Sequence, residues 1–213
     1  DEYGVESTVL LFGGARILSP ENKHKAQTET LAGLSKYYDE AREFSRLRTL
    51  NGLESDGHDF IICTGGGAGV LEAGNQGAAE AGGISIGLNI VLPHEQAPNE
   101  YVTPDLCFNF HYFAIRKMHF LMRAKAVCIF PGGFGTLDEM FEALTLIQTR
   151  KIKPVPGILV GRSYWENAFD PEFLMEEGTI DPEDRDLCWY AETAEEIWDD
   201  IQRWYDRAGQ TLT

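Results

Sequence analysis

The stretch AVCIFPGGFGTLDE, residues 126–139, decides how the rest of the chain is read. Ala126 to Phe130 is a short apolar run without alternation, the pattern of a parallel strand covered on both faces. Pro131 ends it, because proline cannot donate to a ladder. Gly132, Gly133 and Gly135 let backbone N–H groups point into one small volume. Thr136 then opens an amphipathic helix expected to run to about Gln148. Bare donors and the positive end of a helix dipole meet at such a turn, and its usual occupant is a phosphate.

Glu139 gives this anion site a carboxylate one turn into the helix. Two readings are open. Thr136-Leu-Asp-Glu139 fits a capping box, with Glu139 bonded back to the Thr136 N–H. Alternatively, Glu139 faces the sugar of a bound phosphosugar and acts on it.

Outward from this motif, strand and helix signals alternate. Thr8 to Phe12 is an apolar strand followed by Gly13-Gly14-Ala15-Arg16, a second candidate ligand edge. Arg16 there meets a phosphate or base, or is a solvated loop residue. His24 to Gly52 reads as one long helix with an apolar stripe from Leu31 to Leu50. Phe60 to Cys63 is a strand, and the loop Thr64-Gly65-Gly66-Gly67-Ala68-Gly69 leads into a helix ending near Glu80. Gly67-x-Gly69 resembles a dinucleotide fingerprint, but its third glycine position holds Glu72. The loop follows the second strand, and no acidic residue ends the strand Ile84 to Leu88, so an NAD site is not favoured. Glu72 and Asn75 either face the same cleft or are exposed helix polars.

Leu88 to Thr103 is irregular and proline-rich, with His94 and Glu95 at its centre, as in a lid or binding loop. Leu106 to Phe110 is a strand, and Tyr112 to Ala124 a helix carrying Arg116, Lys117 and Arg123. Adjacent helical residues lie about 100° apart, so one of Arg116 and Lys117 can face a cleft while the other faces solvent. Pro154 to Val160 is a further strand, Ser163 to Glu177 a helix anchored by Trp165 and Phe169, and Leu187 to Ala191 a last strand. Thr193 to Arg207 is an acidic amphipathic helix opened by a capping box at Thr193-Ala-Glu-Glu196. The alternation predicts a single α/β domain: a doubly wound, Rossmann-like parallel sheet in three αβα layers, with both glycine loops at its carboxyl edge.

The 213 residues suffice for one full core. A net charge of −16 disfavours nucleic-acid polymers and anionic membrane surfaces as partners. It also requires local cations, such as Arg116 and Lys117, to draw in an anionic ligand. The cysteines (Cys63, Cys107, Cys128, Cys188) show no metal spacing, and neither metal nor cofactor is expected. No run approaches a membrane span, and the start, DEYGVES, is acidic, unlike a signal peptide; a cytoplasmic protein is expected.

At Pro131-Gly-Gly-Phe-Gly-Thr-Leu-Asp-Glu139 the chain resembles the LOG family, cytokinin-activating nucleoside 5′-monophosphate phosphoribohydrolases often labelled possible lysine decarboxylases. Every fixed position of the signature PGG-x-GT-x-x-E is present. Arg116-Lys117 matches the family's arginine–lysine pair, and TGGGAGVLEAGNQGA, SIGLNIVLPHEQ and FEALTLIQTRKIKP are similar to the longer bacterial type. Gly14 departs from the serine usual in that loop. The resemblance implies hydrolysis of AMP or an N6-modified AMP to free base and ribose 5-phosphate. Arg116 and Glu139 would be catalytic, with Lys117 alongside. Gly132, Gly133, Phe134, Gly135, Thr136, Leu137 and Asp138 would hold substrate, joined by Glu95, Thr145, Gly66 and Gly67. It further implies a homodimer or larger homo-oligomer. Lysine decarboxylation fits poorly, since Lys117 and Lys125 lack the context of a Schiff-base lysine. A non-catalytic nucleotide sensor using the same cradle is the alternative.

Overall fold

The computed structural model describes residues 3–54, 57–91 and 97–210. Seven strands form one sheet: β1 (Thr8–Phe12), β2 (Ile61–Thr64), β3 (Ser85–Ile90), β4 (Cys107–Phe110), β5 (Ala124–Ile129), β6 (Gly157–Val160) and β7 (Cys188–Ala191). Their order is β4-β3-β2-β1-β5-β6-β7, and every neighbouring pair is parallel. The doubly wound three-layer arrangement read from the alternation is therefore present. The chain builds outward from β1 to β4, then returns past β1 to start the other half at β5. That reversal leaves a crevice between the carboxyl ends of β1 and β5, where folds of this kind bind ligands.

The central strands are unalternating because both faces are covered. Val9, Leu11, Ile62 and Cys128 pack on α2 (Ser35–Leu53), α3 (Val70–Glu80) and α8 (Ala194–Arg207). Leu10, Phe12, Cys63 and Ile129 pack on α4 (Phe113–Met122), α5 (Phe134–Gln148) and α6 (Arg162–Ala168). Burial of such side chains is worth about 1.5–3 kcal/mol each.

Two helical expectations are corrected. The stretch 24–52 is not one helix: a 3-10 turn (Pro20–Lys25) precedes α1 (Glu29–Gly33), which is separate from α2. The Thr28 hydroxyl caps α1 by accepting from the Leu31 N–H at 3.0 Å, so the chain starts a helix afresh there. The stretch 163–177 is divided into α6 and α7 (Pro171–Glu176). Pro171 cannot continue α6; it sits in the first turn of α7 behind Asp170, whose carboxylate accepts from the Phe173 N–H. Trp165 is a full core residue, whereas Phe169 is only partly buried. Thr193 does cap α8, accepting from the Glu196 N–H at 3.3 Å. The Glu196 carboxylate, however, reaches the Glu192 N–H rather than that of Thr193.

Candidate active site

The crevice opens as a cleft of about 650 Å³ between the loops that leave β1 and β5, with Arg16, Arg116, Gly133, Thr136, Glu139 and Tyr164 among its lining residues. The Gly14 N–H donates to the Pro131 carbonyl at 2.8 Å, which ties the two loops together. A Cβ at position 14 would stand 3.1 Å from the Pro131 oxygen, a tight contact that a side chain there would relieve only by a small shift of the loops. Gly69, which caps α3 at φ +68°, is demanded twice over: its Cβ would come within 2.3 Å of the Gly14 oxygen.

The helix of the central motif starts earlier than expected. Its first residue is Phe134 and its N-cap is Gly133, with no side-chain cap. Thr136 therefore lies inside the first turn and Glu139 in the second, so the capping-box reading of Thr136–Glu139 does not hold. Gly133 is extended, at φ −94° and ψ −151°, and turns the chain straight into the helix without help from a threonine cap. The consequence is an open donor set: the N–H groups of Gly133, Phe134, Gly135 and Thr136 meet no protein acceptor among the described residues.

The glycines of the motif divide by cause. At Gly132 a Cβ would sit 2.1 Å from the Thr136 Oγ1, so packing excludes a side chain. At Gly133 and Gly135 a Cβ would meet no atom of the described residues within 4 Å, and neither has a positive φ. Their bareness serves no packing among the described residues and leaves room for a ligand group to reach the backbone.

Glu139 stands at the floor of the cleft with only 13% of its side chain exposed, 3.5 Å from a guanidinium nitrogen of Arg116. Burial pushes its carboxyl above the ordinary range, opposed by the positive charges of Arg116 and Lys117. Arg116 is fixed independently: its Nε donates to the Leu88 carbonyl at 2.6 Å, and its guanidinium lies over the Phe120 ring. Gly65 makes room for it, since a Cβ there would fall 2.6 Å from an Arg116 nitrogen. Arg16 is exposed at the lip. An acidic chain thus places two arginines and a helix N-terminus around one cleft.

Other expected site residues lie elsewhere. Lys117 turns from the cleft and pairs with Asp138 at 2.7 Å and Glu142 at 2.7 Å, clamping α4 to α5. Asp138 lines the cleft on one side and holds that lysine on the other. Leu137 packs into the core against α5's own face of the sheet. Thr145 is exposed outside the cleft, its hydroxyl donating to the Phe141 carbonyl. The Gly66 N–H is taken by the Thr64 hydroxyl, while Asn99 donates to the Gly66 and Gly67 carbonyls and to Asn75. These two glycines are therefore part of a buried scaffold under the cleft, and Gly65 alone of that trio reaches it. Glu95 and His94 lie outside the described residues. Tyr164 and Asn99 were not singled out by sequence. Tyr164 stands beside core Trp165 and looks like packing, and Asn99 looks like a loop polar.

The family model described as "Possible lysine decarboxylase" matches residues 71–201. A probable cytokinin riboside 5′-monophosphate phosphoribohydrolase, LOGL3 of Oryza sativa subsp. japonica, is 32% identical over 102 residues, 46% of this chain and 48% of that protein. The cytokinin riboside 5′-monophosphate phosphoribohydrolase LOG3 of Arabidopsis thaliana is 28% identical over 141 residues, 64% of each. The chain thus spans about half to two thirds of the curated relatives it matches. Among solved structures, the molybdenum cofactor binding protein from Rippkaea orientalis superposes with a TM-score of 0.60 at 21% identity, over 93% of this chain and 97% of that one. At that identity the likeness is one of fold.

Proposed function

The chain belongs to the possible lysine decarboxylase family, also called the LOG family, and from that premise we propose that it hydrolyses the N-glycosidic bond of a nucleoside 5′-monophosphate. AMP or an N6-modified AMP is the proposed substrate; free base and ribose 5-phosphate are the products. The observation that carries this reading is the pairing of free N–H groups at Gly133–Thr136 with the buried Glu139 carboxylate in one cleft. Glu139 lies three residue steps along the helix from Thr136, a rise of about 4.5 Å. A phosphate seated on the amides therefore leaves the attached pentose alongside the carboxylate.

The chemistry follows from that placement. As the bond from C1′ to the base nitrogen lengthens, its electron pair leaves with the base and positive charge develops on the ribose ring. The Glu139 carboxylate stabilises that charge and orients the water that adds to C1′; the water's proton balances the departing base. Arg116 holds the carboxylate in place and favours its ionised form against the cost of burial. The phosphate grip supplies the binding energy that aligns the sugar. Purified protein incubated with AMP and N6-modified AMP tests this by chromatography. Appearance of base and ribose 5-phosphate in equal amounts supports it; binding of nucleotide with no base released refutes it and leaves a nucleotide sensor.

We also infer that the protein works as a homo-oligomer. Along α4 and its cap, Tyr112, Ile115, Met118 and Met122 follow one helical stripe, and all are exposed. Met118→Asp should yield a smaller species in sedimentation; an unchanged mass would refute α4 as the contact.

No helix among the described residues is long and apolar enough to cross a membrane.

A further inference from the structure

We propose that the Tyr164 hydroxyl is a positioning group for the anion cradle: it fixes the Gly132–Gly133 peptide so that the Gly133 N–H, not a carbonyl, faces the substrate phosphate. This rests on the phosphoribohydrolase reading and adds to it a residue that the central motif does not contain.

The argument begins with the peptide itself. It lies between two glycines, so no Cβ on either side biases its orientation. Turned one way it offers a donor to an anion; turned the other way it offers a carbonyl oxygen that repels one. Some contact from outside the turn must choose. Tyr164 lines the cleft and donates its hydroxyl to the Gly132 carbonyl at 2.6 Å, at the short end for a hydroxyl donor. The Gly132–Gly133 peptide, like every other among the described residues, is trans, so the N–H of Gly133 points opposite to that carbonyl, away from α6. It meets no protein acceptor there among the described residues.

The preceding peptide is held in the same manner. Its carbonyl, that of Pro131, accepts from the Gly14 N–H at 2.8 Å. Both carbonyls of the turn are thereby drawn back into the protein, one by the β1 loop and one by α6. Neither is left to face the phosphate.

Tyr164 is well placed to impose this, because its helix cannot drift. Gly161, in the left-handed region at φ +92°, turns the chain sharply from β6 into α6. Trp165, fully buried, locks the helix to the sheet, and its indole N–H donates to the Val160 carbonyl at 3.0 Å. The Tyr164 ring stands edge-on to the Trp165 ring, with centroids 5.3 Å apart. Through this chain of contacts the core side of β6 sets the direction of one N–H across the cleft at β5. No other hydroxyl partner of Tyr164 exists among the described residues, so its removal isolates this one contact.

Tyr164→Phe tests the proposal, since it removes only the oxygen. Affinities for inorganic phosphate, ribose 5-phosphate and adenosine are measured by calorimetry on the folded wild type and variant. The expected result is a loss of about 5- to 20-fold for phosphate and ribose 5-phosphate, with adenosine unchanged and the KM for AMP rising by the same factor while kcat stays within about twofold. Equal loss for adenosine would assign Tyr164 a packing role and overturn the proposal, as would unchanged phosphate affinity. A wild type that binds neither phosphate nor ribose 5-phosphate would instead sink the phosphoribohydrolase reading beneath it. Should the variant fold poorly, the wild type alone decides by NMR. Phosphate must shift the Gly133 amide proton downfield, and a resonance that does not move refutes the donor orientation.

Discussion

Glu139→Gln tests the assignment of chemistry to that carboxylate. The substitution keeps the size of a side chain that is 13% exposed and removes its charge. In a half-dry cleft with an effective dielectric near 20, unit charges about 4 Å apart attract by about 4 kcal/mol. Losing that attraction for the ribose charge of the transition state should lower kcat by about a thousandfold, at about 1.4 kcal/mol per tenfold. Stability should not fall in step. Burial raises the folded-state pKa of Glu139, so carrying the ionised carboxylate above its unfolded pKa costs the fold some stability, and a neutral amide removes that cost. Adenine release followed by chromatography gives kcat, calorimetry gives the AMP affinity, and a thermal melt gives stability. A fall in kcat of less than tenfold, or activity lost only in proportion to folded protein, would refute the reasoning.

Further outcomes follow from the same geometry. Gly133→Ala and Gly135→Ala should leave stability within about 1 kcal/mol, because each new Cβ meets no atom of the described residues, yet weaken ribose 5-phosphate binding at least about tenfold. Gly132→Ala should do the reverse in part, destabilising by about 1–3 kcal/mol through the clash with Thr136 in a thermal melt. The acid limb of kcat/KM should lie above the ordinary glutamate value of about 4.3, because activity needs the ionised form of a carboxyl whose pKa is raised. Lys117→Met should move that limb further up, since Lys117 is one of the two cations that lower it; a limb that stays put would remove Glu139 or Lys117 from the account. Asn99→Ala should cost about 1–3 kcal/mol in denaturant unfolding by leaving the Gly66 and Gly67 carbonyls and Asn75 without its amide.

How much was legible in the sequence depends on the range of the interaction. The sheet was readable because a strand covered on both faces loses its alternation, as Val9 to Phe12 and Ala126 to Ile129 do. The position of the cleft followed, since a glycine turn after such a strand can lie only at the carboxyl edge. Pro171 carried a local signal for the break between α6 and α7, and its neighbour Asp170 was the matching cap. The start of α5 lies two residues before Thr136 because its N-cap is Gly133, which carries no side-chain signal and leaves the donors open toward the cleft. Lys117 and Arg116 could not be told apart by spacing alone; the acidic surface of α5 takes one, and the Leu88 carbonyl takes the other. Tyr164 was beyond reach, because its hydroxyl acts on a residue of a different βα unit.

The most direct measurement is a crystal structure of the Glu139→Gln protein soaked with AMP. The account predicts the phosphate on the amides of Gly133 to Thr136, with ribose C1′ against the side chain of residue 139 and near Arg116. A nucleotide bound with its phosphate elsewhere, or with its sugar turned away from residue 139, would contradict it.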